Sequence, residues 1–195
     1  MALILASSST IRRAMLAAAG VACEIDRPDV DEERIKAGFD GDDAGLARSL
    51  AQAKADNISS RRDAHDWAIG SDSLVSVDGE RFSKPRDRPE AVDHLRRFRG
   101  RTMLLTSAVA LSRAGRCEWS AVDQAQLHVR EFSDDFIDHY LDAEWPEVGH
   151  CVGVFRLEGR GVQLFSSIDG NYFTILGMPL FPLLGALRER GLLPS

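Results

Sequence analysis

Apolar and polar positions alternate along this chain with two different periods. The run Leu3-Ile4-Leu5-Ala6 predicts a buried strand near residues 2–6, and Ile11, Met15 and Ala18 recur on one helical face over 11–19. A polar segment follows through Asp29, Asp31, Glu32 and Glu33. The stripe Leu46, Leu50, Ala53 and Asn57 then predicts a helix over 42–59. Residues 68–77 read as a strand leading into Asp78-Gly79, a two-residue hairpin signal whose return strand is expected to carry Phe82-Ser83-Lys84 towards Pro85.

Further along, Asp87 and Glu90 form a capping-box-like helix start, with Val92, Leu95 and Phe98 at helical spacing and Gly100 as the stop. Two β-like stretches, 102–111 and 117–129, flank Arg113-Ala114-Gly115-Arg116. Ser133 is placed to cap a helix reaching Trp145, with Phe136, Ile137, Tyr140 and Leu141 facing inwards and Pro146 ending it. Another β-pair is expected over 153–158 and 162–168, turning at Gly159-Arg160-Gly161. A last helix begins near Pro179 and uses Leu180, Leu183, Leu184 and Leu187 before Gly191. Hairpins among alternating strands and helices predict an α/β protein with a mixed, twisted sheet rather than a purely parallel chain of βαβ units.

At 195 residues, 44% hydrophobic and 28% charged, the chain buries a full core without staples, and a single domain over 1–195 is expected. Cys23, Cys117 and Cys151 are widely spaced with no C-x-x-C pair, which predicts reduced, structural thiols. A net charge of -6 argues against a general nucleic-acid binder. The dense run Arg96-Arg97-Phe98-Arg99-Gly100-Arg101 instead complements a helix C-terminus. Ala17-Ala18-Ala19-Gly20 looks like the end of a secretory signal, but Arg12 and Arg13 interrupt the apolar region that a signal needs. No stretch approaches the roughly 20 apolar residues of a membrane span. A cytoplasmic protein is expected, with no membrane partner.

The candidate chemistry begins at the first strand-to-helix junction, where Ser7-Ser8-Ser9-Thr10 precedes Arg12-Arg13. Hydroxyls, fixed positive charge and unpaired helical N–H groups converge there, which suits a phosphate or another oxyanion. No G-x-x-x-x-G-K-[ST] or G-x-G-x-x-G loop is present, so a P-loop kinase or a dinucleotide-dependent dehydrogenase is not expected. Asp72 places a carboxylate inside the apolar run from Ala68 to Val75, a costly position unless it is paired; alternatively it bonds backbone at a strand edge. Lys54 lies beside the apolar stripe of its helix, where a lysine can also simply extend to water, and Lys84 follows the hairpin, where an exposed edge charge is equally ordinary. The acidic stretch Asp29-Val30-Asp31-Glu32-Glu33 fits either a hard cation or a solvated loop. The five histidines show no zinc spacing, and no G-x-S-x-G elbow marks a serine hydrolase.

Taken in order, these pieces resemble the Maf family of nucleoside triphosphate pyrophosphatases. The matches are Leu3 to Ser9 with Arg12-Arg13, Asp29-Val30-Asp31-Glu32, Leu50-Ala51-x-x-Lys54-Ala55, Gly70-Ser71-Asp72, Lys84-Pro85 and Gly100-Arg101-Thr102. They continue with Glu158-Gly159-x-Gly161, Ile168-Asp169-Gly170-Asn171-Tyr172 and Leu176-Gly177-Met178-Pro179-Leu180. Each piece is ordinary alone; the ordered set over nearly the whole chain is specific.

The resemblance implies a two-lobed α/β fold of inosine-triphosphatase-like architecture with a central nucleotide cleft, often as a homodimer. It implies hydrolysis of a nucleoside triphosphate to the monophosphate and pyrophosphate with a divalent metal, Mg²⁺ or Mn²⁺. By that analogy Asp72 is the proton acceptor, and Arg12, Glu32, Lys54 and Lys84 complete the catalytic set. Asp72 and Glu32 are the expected metal ligands, and Ser7, Ser9 and Arg13 are expected at the substrate.

The chain departs from the family at the first junction, where Ser9-Thr10-Ile11-Arg12-Arg13 lacks the usual proline. The family positions that track base specificity hold Ile11, Ser73 and Glu158 in this chain. Of these, only Glu158 matches, and it matches the 7-methylguanosine-type branch rather than the thymidine/uridine type. Glu158 accepts from a guanine-like N–H edge, whereas Ile11 lacks the aromatic face that would recognise a methylated base. The competing reading is a non-catalytic nucleotide-binding regulator of septum formation or division. The acids Glu32 and Asp72 favour the enzyme, because phosphate binding alone does not call for carboxylates.

Overall fold

The computed structural model describes residues 1–194. Its chain order is β1 (Leu3–Ala6), α1 (Thr10–Ala18), β2 (Glu24–Asp26), α2 (Glu32–Ala37), α3 (Asp43–Ser59), β3 (Trp67–Val77) and β4 (Glu80–Phe82). There follow α4 (Arg88–Phe98), β5 (Thr102–Arg113), β6 (Arg116–Val129), α5 (Asp134–Glu144), β7 (Phe165–Asp169), α6 (Tyr172–Ile175) and α7 (Leu180–Glu189). The sheet runs β2-β1-β3-β5-β6-β7, with β4 paired to β3. It is mixed, as the hairpin signals predict: β1 is parallel to β2 and β3, while β4 and β7 are antiparallel to their neighbours.

The chain divides into two compact units. The first comprises Met1–Ser73, Thr106–Asp123 and the chain from Tyr172 onward; the second comprises Leu74–Leu105 and Gln124–Asn171.

In the first unit, β1 lies between β2 and β3 and is parallel to both, and the connections from β1 to β2 and from β2 to β3 carry helices back along the sheet, as parallel strands require. Leu3↔Trp67 through Ala6↔Gly70 sets the β1–β3 register. Leu5, Leu16, Ile69, Val109, Leu111, Leu183 and Leu187 form the apolar centre, and Ile11 packs against its edge. Ser9 caps α1, its Oγ accepting from the Arg12 N–H at 3.3 Å, and Asp42 caps α3 in the same way through Gly45. Among the described residues no helix is long and apolar enough to cross a membrane.

In the second unit, the hairpin turns at Asp78 and Gly79 with φ of 51° and 80°. Two successive positive φ angles match the right-handed twist of the flanking strands. Asp87 accepts from the Glu90 N–H at 2.9 Å to start α4, and Ser133 accepts from Phe136 N–H at 3.2 Å to start α5.

Two expectations fail in this unit. The return strand ends at Phe82, so Lys84 lies beyond it. Residues 153–158 form no strand: the chain turns there, passes through a 3-10 helix at Arg160–Leu164, and only Phe165–Asp169 pairs, with β6. The cause is a backbone fold-back. A side chain on Gly161 would lie 2.5 Å from the Arg156 carbonyl oxygen, and Phe155 meets Phe165 ring to ring at 4.9 Å rather than through the backbone. Periodicity also misses the short elements β2, α2 and α6, which are too brief to show a repeat.

His94 packs against the touching rings of Phe82 and Phe98, with centroids 5.2 Å and 5.8 Å away, and its Nδ1 is buried without a partner. Burial lowers its pKa below the ordinary value; Arg97 adds to this, while Glu90, Asp93 and Glu80 oppose it. The unfolded chain therefore binds the proton more readily, so stability rises with pH through this window. The protein is expected to lose urea resistance as pH falls below about 6.5, and His94→Phe should shrink that loss. An equal pH slope in wild type and variant would remove His94 as its source.

Candidate active site

Four residues that the sequence marks separately come together in the first unit. Lys54 sits on the buried face of α3 among Leu50, Ala51, Ala55 and Ile58. It does not extend to water: the residue is 7% exposed, and its Nζ lies 2.5 Å from Asp72 Oδ1 and 2.9 Å from Glu32 Oε1. Asp72 comes from β3 and is equally buried, whereas Glu32 opens α2 and is partly exposed. Asp31 caps α2 by accepting from the Arg34 N–H at 3.0 Å, which fixes where Glu32 leaves the backbone. The acidic stretch thus serves as a helix cap with one carboxylate directed at Lys54. Glu33 pairs instead with Lys36.

The approach of α3 to β3 depends on Gly70, two residues before Asp72 and on the same strand face. A Cβ at Gly70 would lie 2.0 Å from the Ala51 carbonyl oxygen and 2.7 Å from the Ala55 nitrogen. The bare backbone lets α3 settle within reach of the strand. Burying a lone ammonium costs several kcal/mol; two carboxylates on one Nζ offset that cost. Each carboxylate in turn is held by the cation it needs.

Arg12, on α1, is fixed from three sides. Its Nε donates to the Gly177 carbonyl at 2.9 Å, Nη1 to the Ser71 carbonyl at 2.9 Å, and Nη2 to Ser73 Oγ at 3.1 Å. Burial pushes its pKa down, while the charges of Asp72 and then Glu32 push it back up. The guanidinium stays charged. Gly177 has a φ of 104°, a conformation that side-chain-bearing residues rarely adopt, and a Cβ there would approach Ser73 Oγ to 3.2 Å.

Other sequence candidates sit differently. Ser7 is buried and its Oγ accepts from the Ser9 N–H at 3.1 Å; the Ser9 hydroxyl is engaged as the α1 cap. Arg13 is exposed. Lys84 and Glu158 belong to the second unit, where both are exposed and both act electrostatically on Cys151. Burial raises the Cys151 thiol pKa, Glu158 raises it further, and Lys84 and Arg156 oppose. The same unit holds the ion pair Arg156–Glu144 at 3.0 Å, with Glu144 buried.

Sequence reasoning gave no role to Ser71, Ser107, Thr174 or Asp123, which support Arg12 from behind. Ser71 Oγ lies 2.8 Å from Ala108 O and 2.9 Å from Gly177 O and shares its one hydrogen between them, and Thr174 Oγ1 donates to Asp123 Oδ2 at 2.5 Å. Their only signal is polar side chains within strands β3, β5 and β6 and the short helix α6.

The four charges of Arg12, Lys54, Glu32 and Asp72 balance, so this group alone presents no surplus of positive charge to a polyanion. Among the described residues no three His, Cys, Asp or Glu side chains gather as a metal site. Two carboxylates do suit Mg²⁺, which commonly takes one or two from protein and the rest from water and phosphate oxygens.

The profile of the family described as Maf-like protein matches residues 2–190. The chain is 42% identical to a nucleoside triphosphate pyrophosphatase of Gluconobacter oxydans, covering 96% of this chain and 94% of the relative. It is 44% identical to one of Sphingopyxis alaskensis over 100% of both chains. A 7-methyl-GTP pyrophosphatase of Rhizobium etli is 42% identical over 97% of this chain and 96% of its own length.

Gly70→Ala is expected to lift α3 from β3 and part Lys54 from Asp72. Urea unfolding should show a loss of about 1–3 kcal/mol or more. Wild-type stability in that variant would mean that the helix does not depend on this contact.

Proposed function

The chain belongs to the Maf-like protein family, and from that premise we propose how, as a nucleoside triphosphate pyrophosphatase, it uses this site and what it prefers. The observation that carries the reading is the Lys54 bridge between Asp72 and Glu32, with Arg12 fixed beside them. Such a group handles phosphate charge and also offers a base.

In the proposed reaction a water oxygen bonds to the α-phosphorus as the bond from that phosphorus to the α–β bridging oxygen breaks. Lys54 holds Asp72 Oδ1, leaving Oδ2 to take the proton of the attacking water. Arg12, with Lys54, counters charge on the phosphoryl oxygens as pyrophosphate departs; by the family resemblance Lys84 and Arg13 add to this. The regions around Ser7 and Ser9 bring the first turn of α1 to the phosphates, where the helix dipole favours an anion. A divalent ion, Mg²⁺ or Mn²⁺, held by Asp72 and Glu32, would supply charge neutralisation and orientation of the reacting groups. The balanced charge of the four residues supports that requirement.

For the base, we favour 7-methyl-GTP. Glu158 suits the N–H edge of guanine, and relatives bearing that name are as similar to this chain as some named only for nucleoside triphosphates. Ile11 packs on the apolar cluster and offers no aromatic face to a methylated ring, so the preference is expected to be modest.

The test is pyrophosphate release from the purified chain with Mg²⁺ or Mn²⁺ across GTP, 7-methyl-GTP, UTP and thymidine triphosphate. The expected result is metal-dependent turnover with 7-methyl-GTP ahead; a pyrimidine ahead would overturn the base preference, and turnover in EDTA would overturn the metal. Asp72→Asn should lower kcat by roughly 10²–10⁴ with the fold retained. Unchanged kcat in that variant would remove Asp72 as the base.

A further inference from the structure

Behind Arg12 runs a line of hydroxyls whose direction can be deduced atom by atom. Arg12 Nη2 donates to Ser73 Oγ at 3.1 Å, and Ser73 Oγ lies 2.8 Å from Ser107 Oγ. Ser107 is fully buried and donates to the Thr174 carbonyl at 2.8 Å. A guanidinium only donates, a carbonyl only accepts, and a hydroxyl has one hydrogen. With the Ser107 hydrogen committed to Thr174, the 2.8 Å contact between the two hydroxyl oxygens calls for the Ser73 hydrogen, and Gly177 O at 3.2 Å is its longer alternative. The line therefore runs one way, from Arg12 through Ser73 and Ser107 to Thr174.

Its far end is itself anchored. The Gly177 N–H also donates to the Thr174 carbonyl at 3.0 Å, and the Thr174 hydroxyl is tied to Asp123. Gly177 then returns its own carbonyl to Arg12 Nε and to Ser71 Oγ. The network closes on the guanidinium at Nε, Nη1 and Nη2, so the plane of the fork is fixed. Of the five guanidinium N–H groups three are used there, one each on Nε, Nη1 and Nη2.

We propose that Ser73 and Ser107 are positioning residues for Arg12, aiming its guanidinium at the phosphate oxygens of the substrate. This rests on the phosphate chemistry proposed above. It gives Ser73 a task within the protein: its one hydrogen goes to Ser107 and one of its two lone pairs accepts from Arg12. Ser107, with no exposed surface, acts only through Ser73.

The test uses the full chain with Ser73→Ala, Ser107→Ala and Arg12→Lys, singly and in pairs, and follows pyrophosphate release from GTP, 7-methyl-GTP, UTP and thymidine triphosphate. Ser73→Ala, which loses one bond to a charged group, should lower kcat/KM about tenfold, and Ser107→Ala, which loses the neutral bond that orients Ser73, by about threefold to tenfold, each by the same factor for every base. Adding Ser73→Ala to Arg12→Lys should cost under about twofold, because the fork being aimed is already gone. A general loosening of the fold would cost the same factor in both backgrounds. The proposal is overturned by a change in base ranking with Ser73→Ala, by an unchanged rate with Ser107→Ala, or by full additivity with Arg12→Lys. If wild type turns over no nucleotide, the functional reading fails on its own. Arg12–Ser73 coupling is then read from urea midpoints of the same variants, where additive shifts overturn the positioning role and non-additive shifts sustain it.

Discussion

One buried ammonium organises the first unit. Lys54 sits in the apolar stripe of α3, where a charge without partners would be expelled or neutralised. It is tolerated because Asp72 and Glu32 both reach it. Three neighbouring features serve that contact: Gly70 lets α3 close on β3, Asp31 starts α2 so that Glu32 faces inward, and the parallel β1–β3 register sets the height of Asp72. The result is a carboxylate with one oxygen fixed, which is what a positioned proton acceptor requires.

The second constraint is that buried polar groups must be satisfied or they cost the fold their full desolvation. Ser71, Ser107 and Thr174 are all buried in the first unit, and each has its partner. Because the acceptors are mostly backbone carbonyls on rigid elements, the network has little freedom to rearrange. Arg12 is consequently held in one orientation, and rigid placement of charge is worth more to phosphoryl chemistry than charge on a mobile side chain. Gly177 is indispensable to this arrangement because it supplies both a positive φ and a carbonyl that Arg12 and Ser71 share.

The second unit is built on different terms. Its helices α4 and α5 are joined by exposed pairs such as Arg88–Asp142 and Arg96–Asp134, which are individually worth little. The arginine run of the sequence is absorbed in this way, with Arg96 and Arg99 both on Asp134. Its interior polar feature is Glu144 with Arg156, near Tyr140, whose hydroxyl donates to the Val154 carbonyl at 2.9 Å. Burial first, then Glu144, raises the Tyr140 pKa far above its usual value, so it remains a hydrogen-bond donor.

The sequence alone is enough for the long elements and the class of fold. Repeats of 3.6 and 2 residues, the helix starts at Asp87 and Ser133, and the Asp78-Gly79 turn are local interactions, written within a few residues of each other. It also marked Arg12, Glu32, Lys54 and Asp72, because charge inside an apolar pattern or an ordered family motif is visible without coordinates. Pairing is visible only in the folded chain: that Lys54 serves two carboxylates rather than water, that β7 joins β6 rather than residues 153–158, and that Ser107 and Thr174 stand behind Arg12. Those contacts link residues tens of positions apart, and a hydroxyl in a strand carries no sign of its distant partner. Their geometry follows from close approaches such as Gly70 on α3, which depend on the whole first unit being packed.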